Sequence, residues 1–534
     1  MLSYRIGNPA KAAATNSIVS ESKVLRSLFE VRKSCNDPWN GSLLQERPQL
    51  TFWNCQWSKR IIQSLYKLVV RDGQHFSSIK FFNCDVNNKE FAEILTILLK
   101  NNSTNSLVIK QGNLVAGNSN ENHRLSQRCQ SSLRNFSADE SVLTALCEGM
   151  PTNTSLESLK LSGLKFENAT ENANGGGEER NWCQILTDKS NLRHLDLSNS
   201  SLCSSTVTNL SKGLLFNDSL RSLNLSRCSL DDDCLSEILG SLKAHPNLTK
   251  LNLSRNFLGK SSSTLAVDAV AELLRSKNSK LSCLDLSKQQ HARLRIQQTL
   301  EASAEEMEFE KQKHQTAFAN ALNALSTNTT LRRIDLSGNG PCLEDQKNVE
   351  ALTSCLVANQ GLLHADVSSC QLTPCGIQYL GQYCIPHCTG RLKSLILLDK
   401  GTNSNCADES GKWDTALSFL CSGVLSNTTL EILGDVDDAA TNPELRSRLL
   451  HLLNLNRAGR RALVAHDMPL AAWSHVLARA GRVTYNNEVD GNPTSDNEID
   501  NAEFHGEPTY TDTSTTPSVL FSLLQGPALF GGSQ

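Results

Sequence analysis

The sequence has little net charge and no long apolar run. Its 52 Lys and Arg residues nearly balance its 55 Asp and Glu residues, which leaves a formal net charge of −3. A chain without a basic excess has no broad surface for a phosphate backbone, so nucleic-acid binding is the least favoured function. Nowhere do about 18 apolar residues run together, as a membrane-spanning helix requires. We therefore expect no contact with a membrane.

Targeting and catalytic motifs are also missing. The first twenty residues hold Arg5 and Lys11 and no acid, which leaves a transit peptide open, but they hold no apolar run typical of a secretory signal. Without a secretory route, the 18 cysteines are expected to be reduced thiols in a cytoplasmic or nuclear protein. No nucleophile elbow, phosphate-binding loop or HExxH motif is present. We therefore expect no enzyme, no cofactor and no small-molecule substrate.

What the sequence does contain is a repeated pattern, LxxLxLxxNxL. The clearest copies begin at Leu192, Leu220 and Leu248, at a constant spacing of 28 residues. We number the positions of each repeat from its first leucine. Positions 4 and 6 should point inward from a short strand, and positions 3 and 5 outward. Further copies begin at Phe76, Thr104, Leu156, Leu281, Leu331, Leu362, Leu392 and, in degenerate form, Leu430.

Position 9 and the segment after it also follow a pattern. An amphipathic helix is predicted after position 11, as in the stripe formed by Leu235, Ile238, Leu239 and Leu242. A small polar or thiol side chain at position 9 can satisfy backbone groups inside the turn. It is found as Cys84, Cys228, Asn256, Asn339 and Cys370.

An asparagine recurs three residues before the repeat leucine. We interpret it as a residue with left-handed backbone at a helix C-cap, or as a turn residue, rather than as a glycosylation acceptor. The examples are Asn153, Asn217, Asn328 and Asn427.

Repeats of this length with one helix each resemble the ribonuclease-inhibitor-like leucine-rich-repeat class, over residues 76–440. The resemblance implies an α/β solenoid shaped like a horseshoe, with parallel strands on the concave side and helices on the convex side. The C-terminal stretches LLHLLNLNRAGRR, MPLAAWSHVLARA and SVLFSLLQGPALF are similar to the ends of uncharacterised diatom leucine-rich-repeat proteins. That second resemblance implies no function.

The expected organisation follows from these patterns. Residues 1–50 show no pattern and are expected to be disordered, and residues 51–75 are expected to form a helical N-terminal cap. The solenoid is expected over 76–441, with polar insertions around 112–133 and 175–177 and a long charged helix over 289–326 that would reach about 50 Å. A two-helix C-terminal cap over 442–481, an acidic disordered insertion over 482–517 and a docking segment over 518–534 complete the chain.

The leading functional hypothesis is a scaffold that binds a protein partner through the concave face. Acidic and amide side chains form a column at position 5, cations and histidines share position 3, and Arg or Lys recurs at position 8. Such a mixed-charge surface suits protein contact, although the position-5 column is interpreted chiefly as structural. The candidate contact residues are His194, Asp196, Asn224, Arg227, Lys250, Asn252, Arg255, Asp285, Lys288, Arg333, Asp335, His364 and Asp366.

Three other hypotheses stay open. A GTPase-activating protein, which the Ran-type members of the class allow, would need an exposed Asn or Arg such as Asn199, Arg227 or Arg255. The charged helix over 289–326 is interpreted as a solvated helix or, alternatively, as a partner-binding arm. A zinc site is the least supported of the three, because the spacing lacks the C-x2-C hairpin usual for one. Its candidate ligands are Cys370, Cys375, Cys384, His387 and Cys388.

Overall fold

The structure is a computed structural model that describes most of the repeat region. The described residues are 3–6, 20–35, 49–71, 75–84, 86, 89–100, 104–111, 140–166, 182–186, 191–259, 264–277, 279–289, 304–388, 390–398, 410–434, 442–461, 475–476 and 478–479. The polar insertions around 112–133 and 175–177, the acidic segment 482–517 and the segment 518–534 fall outside them. The second helix predicted for the C-terminal cap also falls largely outside them.

The chain divides into two units, Met1–Ala324 and Leu325–Gln534. In the first unit the strands pair in the order β1-β2-β3-β4-β5-β7-β9-β10-β11, with β6 and β8 as a separate pair. In the second unit the order is β12-β13-β14-β15. The strands are β1 Ser3–Ile6, β2 Gln49–Trp53, β3 Phe76–Phe82, β4 Thr104–Lys110, β5 Ser158–Ser162, β6 Lys165–Phe166, β7 His194–Asp196, β8 Ser201–Leu202, β9 Ser222–Asn224, β10 Lys250–Asn252, β11 Cys283–Asp285, β12 Arg333–Asp335, β13 His364–Asp366, β14 Ser394–Leu398 and β15 Ile432–Gly434.

Helices alternate with these strands. They are α1 Glu21–Cys35, α2 Lys59–Tyr66, α3 Lys89–Lys100, α4 Glu140–Gly149, α5 Trp182–Ile185, α6 Ser204–Phe216, α7 Asp232–Leu242, α8 Leu265–Arg275, α9 Ala304–Ser326, α10 Gln346–Ala358, α11 Pro374–Tyr379, α12 Ser410–Ser426 and α13 Pro443–Arg457. The described pairs within each unit's main sheet are parallel. Each unit is therefore an α/β leucine-rich-repeat solenoid, which confirms the predicted fold class.

The core follows the predicted pattern of inward positions. Leu195 and Leu197 are buried at positions 4 and 6, while Asp196 between them is only half-buried. The stripe on α7 is buried as well, and the Asp231 side chain caps that helix by accepting the N–H of Cys234 at 3.0 Å. The side of the sheet that carries positions 3, 5 and 7 is called the strand face from here on.

Position 9 lies inside the turn and links neighbouring repeats. Asn256 donates to the carbonyls of Leu225 and Leu253, both at 2.9 Å. A cysteine at this position uses its thiol in the same way: Cys228 donates to the carbonyl of Leu197 at 3.1 Å. The polar or thiol residue predicted at this position therefore satisfies backbone carbonyls that water cannot reach.

For the asparagines before each repeat leucine, the structure supports the turn interpretation and not the left-handed C-cap. Asn153 and Asn217 have φ of −86° and −84°, so their backbone is extended and not left-handed. Their side chains form the turn instead. The side-chain oxygen of Asn217 accepts the N–H of Leu220 at 2.8 Å, and its amide donates to the carbonyl of Leu186 at 3.2 Å. The side chain joins two repeats, and this makes a left-handed backbone unnecessary.

The N-terminal predictions were wrong where the structure describes the segment. The strand Ser3–Ile6 pairs with Gln49–Phe52, and α1 follows it, so parts of residues 1–50 are folded. Residues 51–75 are not a purely helical cap, because β2 pairs with β3 and continues the sheet. Both segments bury apolar side chains such as Ile6 and Phe52 against the next repeat, which stabilises them.

The predicted charged helix does not begin at Gln289, and residues 290–303 lie outside the described residues. Gln289 is buried at position 9, where its side chain donates to the carbonyl of Leu253 at 2.9 Å. The described part of the helix is α9, Ala304–Ser326, whose 23 residues correspond to about 34 Å. Its last turns bury Leu322 and Leu325 in the usual manner of a repeat helix. Whether its first turns bind a partner stays a prediction.

Candidate functional site

The acidic and amide column at position 5 has a structural role. In each repeat the side-chain oxygen accepts a hydrogen bond from the backbone N–H two residues later. Asp196 accepts from Ser198, and Asn252 accepts from Ser254, both at 2.9 Å. Such Asx turns hold the chain as it leaves the strand. The same bond is made by Asn224, Asp285, Asp335 and Asp366.

In each position-5 carboxylate, one oxygen is used for this hydrogen bond. The pKa of Asp366 is set by opposing effects. Burial raises the pKa of its carboxyl, the hydrogen bonds from Ser368 oppose that shift, and the neighbouring Asp335 adds to it. The structural interpretation of this column, made from the sequence, agrees with these bonds.

Position 3 supplies the exposed members of the candidate site. His194 and Lys250 are exposed in the first unit, and Arg333 and His364 in the second. Burial lowers the pKa of His194, and the ammonium of Lys250 adds to this effect. Burial and the Arg333 guanidinium likewise lower the pKa of His364. Both imidazoles are therefore disposed to stay neutral and to act as hydrogen-bonding groups.

Position 8 holds a feature that the sequence interpretation missed. Arg227, Arg255 and Lys288 all have left-handed backbone, with φ of 58°, 59° and 54°. Their backbone is fixed in the turn, because the N–H of Arg227 donates to Ser254 and that of Arg255 to Ser287, each at 2.9 Å. The side chains of Arg227 and Lys288 are exposed, and that of Arg255 is half-buried.

A signal for this conformation was present in the sequence. Other repeats place Asn54, Asn83, Gly163, Asn199 and Gly338 at position 8, and all have positive φ. Glycine and asparagine are the residue types that adopt left-handed backbone most readily. Comparing position 8 across repeats would have predicted the turn.

The candidate residues fall into two groups, because the chain has two units. Strands β7, β9, β10 and β11 of the first unit lie side by side and carry the residues from His194 to Lys288. In register, Asp196 pairs with Asn224, Asn224 with Asn252, and Asn252 with Asp285. The second unit carries Arg333 and Asp335 on β12, next to His364 and Asp366 on β13. The first group is the larger continuous surface.

The cysteine cluster does not assemble as a set of metal ligands. The Cys370 thiol donates to the carbonyl of Leu336 at 3.1 Å, and Cys375 is exposed. Cys384 and Cys388 are buried with their sulfurs 3.6 Å apart, and the Cys388 thiol together with burial raises the pKa of Cys384. Within the described residues, no group of three or more His, Cys, Asp or Glu side chains is placed to hold a metal ion.

Two further findings concern the whole described chain. Over the residues that the structure covers, no helix combines the length and apolarity needed to cross a membrane. The cysteines described are free thiols.

The similarity of this chain to known proteins is weak. No protein-family model matches the chain, and no curated protein matches it. Among solved structures, actin-binding site 2 of leiomodin-1 is similar over 30% of this chain and 74% of that chain, with 20% identity and a TM-score of 0.22. An internalin (inlF) from Listeria monocytogenes is similar over 51% of this chain and 88% of that chain, with 15% identity and a TM-score of 0.19. At these scores, neither similarity indicates what this chain binds.

Proposed function

We propose that the chain is a non-catalytic scaffold that binds a protein partner through the strand face of β7 and β9 to β11 in the first unit and through the turns that follow these strands. The observation that carries this proposal is the row of Arg227, Arg255 and Lys288 at position 8. A left-handed backbone costs a residue with a Cβ about 1 kcal/mol. Glycine or asparagine would lower this cost. Basic side chains held in such a conformation on three successive repeats support a role in binding.

The charge pattern supports a protein as the partner. The same run of repeats also carries carboxylates at position 5: Asp285 in the repeat of Lys288, and Asp196 in the repeat before that of Arg227. The surface therefore has both signs of charge. Complementary pairs on a protein partner would orient it. A phosphate backbone would be repelled by the carboxylates and attracted only by the cations, so nucleic acid fits this surface poorly.

The test is a variant that removes the three charges without disturbing the turn. Because asparagine tolerates positive φ, Arg227→Asn, Arg255→Asn and Lys288→Asn together should keep the fold. The helix-side control variant changes three exposed lysines on α2, α3 and α6 instead, Lys59→Gln, Lys100→Gln and Lys212→Gln. Both variants alter the net charge by the same amount.

The partner is captured from cell extract with cross-linking, identified by mass spectrometry, and its affinity is then measured with purified protein. We expect the position-8 variant to weaken binding by about 1 to 3 kcal/mol in total and the helix-side control variant to bind as the native chain does. Circular dichroism checks that both are folded. Equal loss in both variants, or full retention in the position-8 variant, would overturn the proposed surface.

A second possible function, GTPase activation, would use the same turn. The side chains of Asn199 and Arg227 are exposed at position 8 of consecutive repeats, where a GTPase activator would hold an Asn or Arg toward a nucleotide. Single-turnover GTP hydrolysis by a panel of small GTPases tests this. If the chain increases the hydrolysis rate and Arg227→Asn abolishes the increase, the chain is a GTPase activator. A scaffold would leave the hydrolysis rate unchanged.

We also propose the ribonuclease-inhibitor-like class, supported by one helix following each strand, and a reducing compartment, cytoplasm or nucleus, supported by the free thiols. The similarity of the C-terminal stretches to diatom repeat proteins stays a proposal about lineage.

A further inference from the structure

The strand face of β2 to β5 differs from the rest of the sheet. Five outward residues define what we call the basic–aromatic patch: Trp53, Lys80, Phe82, Lys110 and Lys160. Trp53, Phe82 and Lys110 occupy position 7 on three neighbouring strands, where the later repeats carry serine. Lys80 and Lys160 occupy position 5 on β3 and β5, and Val108 lies between them in register.

The rings of the patch stack on each other. The centroids of Trp53 and Phe82 are 4.2 Å apart, with an interplanar angle of 20°. Each ring therefore covers one face of the other. Lys110 pairs with Phe82 in register on the next strand, so an ammonium group follows the aromatic pair.

The patch carries a local excess of positive charge. The outward positions 3, 5 and 7 of β2 to β5 hold three lysines and no acid. Among the described residues, Asp196 on β7 forms an ion pair with Lys160, with its carboxylate 2.5 Å from the ammonium. Burial lowers the pKa of Lys110, and the charge of Lys160 lowers it further, although the carboxylate of Asp196 opposes the shift. Two ammonium groups close enough to repel each other would be stabilised by an added anion.

We propose that the basic–aromatic patch binds an extended acidic segment of a protein, with carboxylates on Lys80, Lys110 and Lys160 and an apolar side chain against Trp53 and Phe82. This inference rests on the proposed scaffold function and names the chemistry of the segment bound. A single-stranded nucleic acid is less favoured, because its bases stack on aromatic faces, and the stacking of Trp53 on Phe82 already covers one face of each ring.

The probe for this proposal is a fluorescein-labelled peptide of four Glu-Glu-Leu triplets, with the matching Gln-Gln-Leu peptide and oligothymidylate as comparisons. Binding to the full chain is followed by fluorescence anisotropy. We expect the acidic peptide to bind, and the Gln peptide and the oligonucleotide to bind at least about tenfold more weakly. Added salt should weaken binding of the acidic peptide, because the ammonium groups are only partly buried.

The variant Lys80→Gln, Lys110→Gln, Lys160→Gln should lower the affinity for the acidic peptide about tenfold, while Lys→Arg at the same sites should retain it. The helix-side control variant should bind normally. If the triple variant loses its native circular dichroism, Lys80→Gln alone decides the question. Equal peptide binding by the triple variant and the native chain would overturn the proposal, as would tighter binding of oligothymidylate.

The position-8 variant separates this proposal from the scaffold proposal. It should bind the acidic peptide normally, because Arg227, Arg255 and Lys288 lie outside the patch. If the peptide binds while capture of a partner from extract fails, the patch stands and the scaffold proposal falls. If a partner is captured but the peptide does not bind, the acidic-segment proposal falls alone.

Discussion

The side-chain oxygen of Asn256 accepts a hydrogen bond from the backbone N–H of Cys228, 3.0 Å away in the preceding repeat. The same oxygen accepts from Leu230 at 3.2 Å, and the amide donates to Leu225 and Leu253. One side chain thus satisfies four backbone groups in two repeats. Because Asn256 is 0% exposed, water cannot replace it.

Replacing Asn256 with alanine should lower the free energy of unfolding by about 3 kcal/mol, since several buried backbone groups lose their partners. Urea denaturation followed by circular dichroism measures the change. Asn256→Cys should cost less than alanine, because a thiol at this position reaches a carbonyl of the preceding repeat, as Cys228 does. Asn320→Ala, an exposed change on α9, serves as the control and should alter stability by less than about 0.5 kcal/mol. Similar losses for Asn256→Ala and Asn320→Ala would contradict the structural role.

His245 should make stability depend on pH. Its Nδ1 accepts the N–H of Leu248 at 3.1 Å, a bond that requires this nitrogen to be unprotonated. Burial lowers the pKa of His245, although Asp218 opposes the shift. The unfolded chain therefore binds more protons than the folded chain between the folded pKa and the ordinary value of about 6.5. Stability is full above that value and falls as the pH drops through this window.

The variant His245→Asn isolates this effect, because Asn217 fills the same place one repeat earlier and makes the same bond to Leu220. We expect the loss of stability between neutral and mildly acidic pH to be smaller in the variant than in the native chain. Thermal denaturation at a series of pH values gives both slopes. Identical slopes would show that His245 does not titrate on unfolding.

Because the backbone at Arg255 is left-handed, we expect the glycine variant at this position to be more stable than the alanine variant. With φ of 59°, alanine at this position keeps the strain that glycine removes. Arg255→Gly should therefore be more stable than Arg255→Ala by about 1 kcal/mol. Lys212, exposed on helix α6, should show the opposite order by about the same amount, because glycine weakens a helix. Urea denaturation of the four variants measures the stability difference between glycine and alanine at each site. If alanine is the more stable variant at both sites, the backbone at Arg255 is not strained.

Replacing two glycines of helix α12 with alanine should affect stability differently. A Cβ at Gly423 would overlap the carbonyl oxygen of Gly381 in the neighbouring segment, so Gly423→Ala should cost about 3 kcal/mol. Gly411 lies on the same helix and has no described atom within 4 Å of an added Cβ. Gly411→Ala should be neutral or stabilise by about 0.5 kcal/mol. Comparing their thermal denaturation tests the close packing, and a tolerated Gly423→Ala would show that the two segments separate easily.

Much of the fold was predictable because the repeat pattern encodes it locally. Alternating leucines such as Leu195 and Leu197 predict a strand with one buried side, and the stripe on α7 predicts the helix after it. The first strand was not predictable in this way. Ser3–Ile6 has no repeat consensus, and only its pairing with β2 places it in the sheet.

For the candidate site, the sequence predicted which side chains point outward but not how they are arranged. The sequence identified exposed positions such as His194 and Lys250 because strand periodicity places them outward. It did not identify the basic–aromatic patch, because the earlier repeats match the consensus weakly. It left open whether Asn217 has left-handed backbone or is a turn residue, and only the second is correct, while it missed the left-handed backbone at Arg227.

The sequence by itself determined that a leucine-rich-repeat solenoid forms, because the leucine spacing sets which side chains are buried in every repeat. The tertiary structure alone decided how repeats are joined and which outward residues meet. Asn256 finds its partners in two repeats, and the ring of Phe82 stacks on Trp53 from another strand. Such contacts depend on the register between strands that are distant in sequence, which no single repeat specifies.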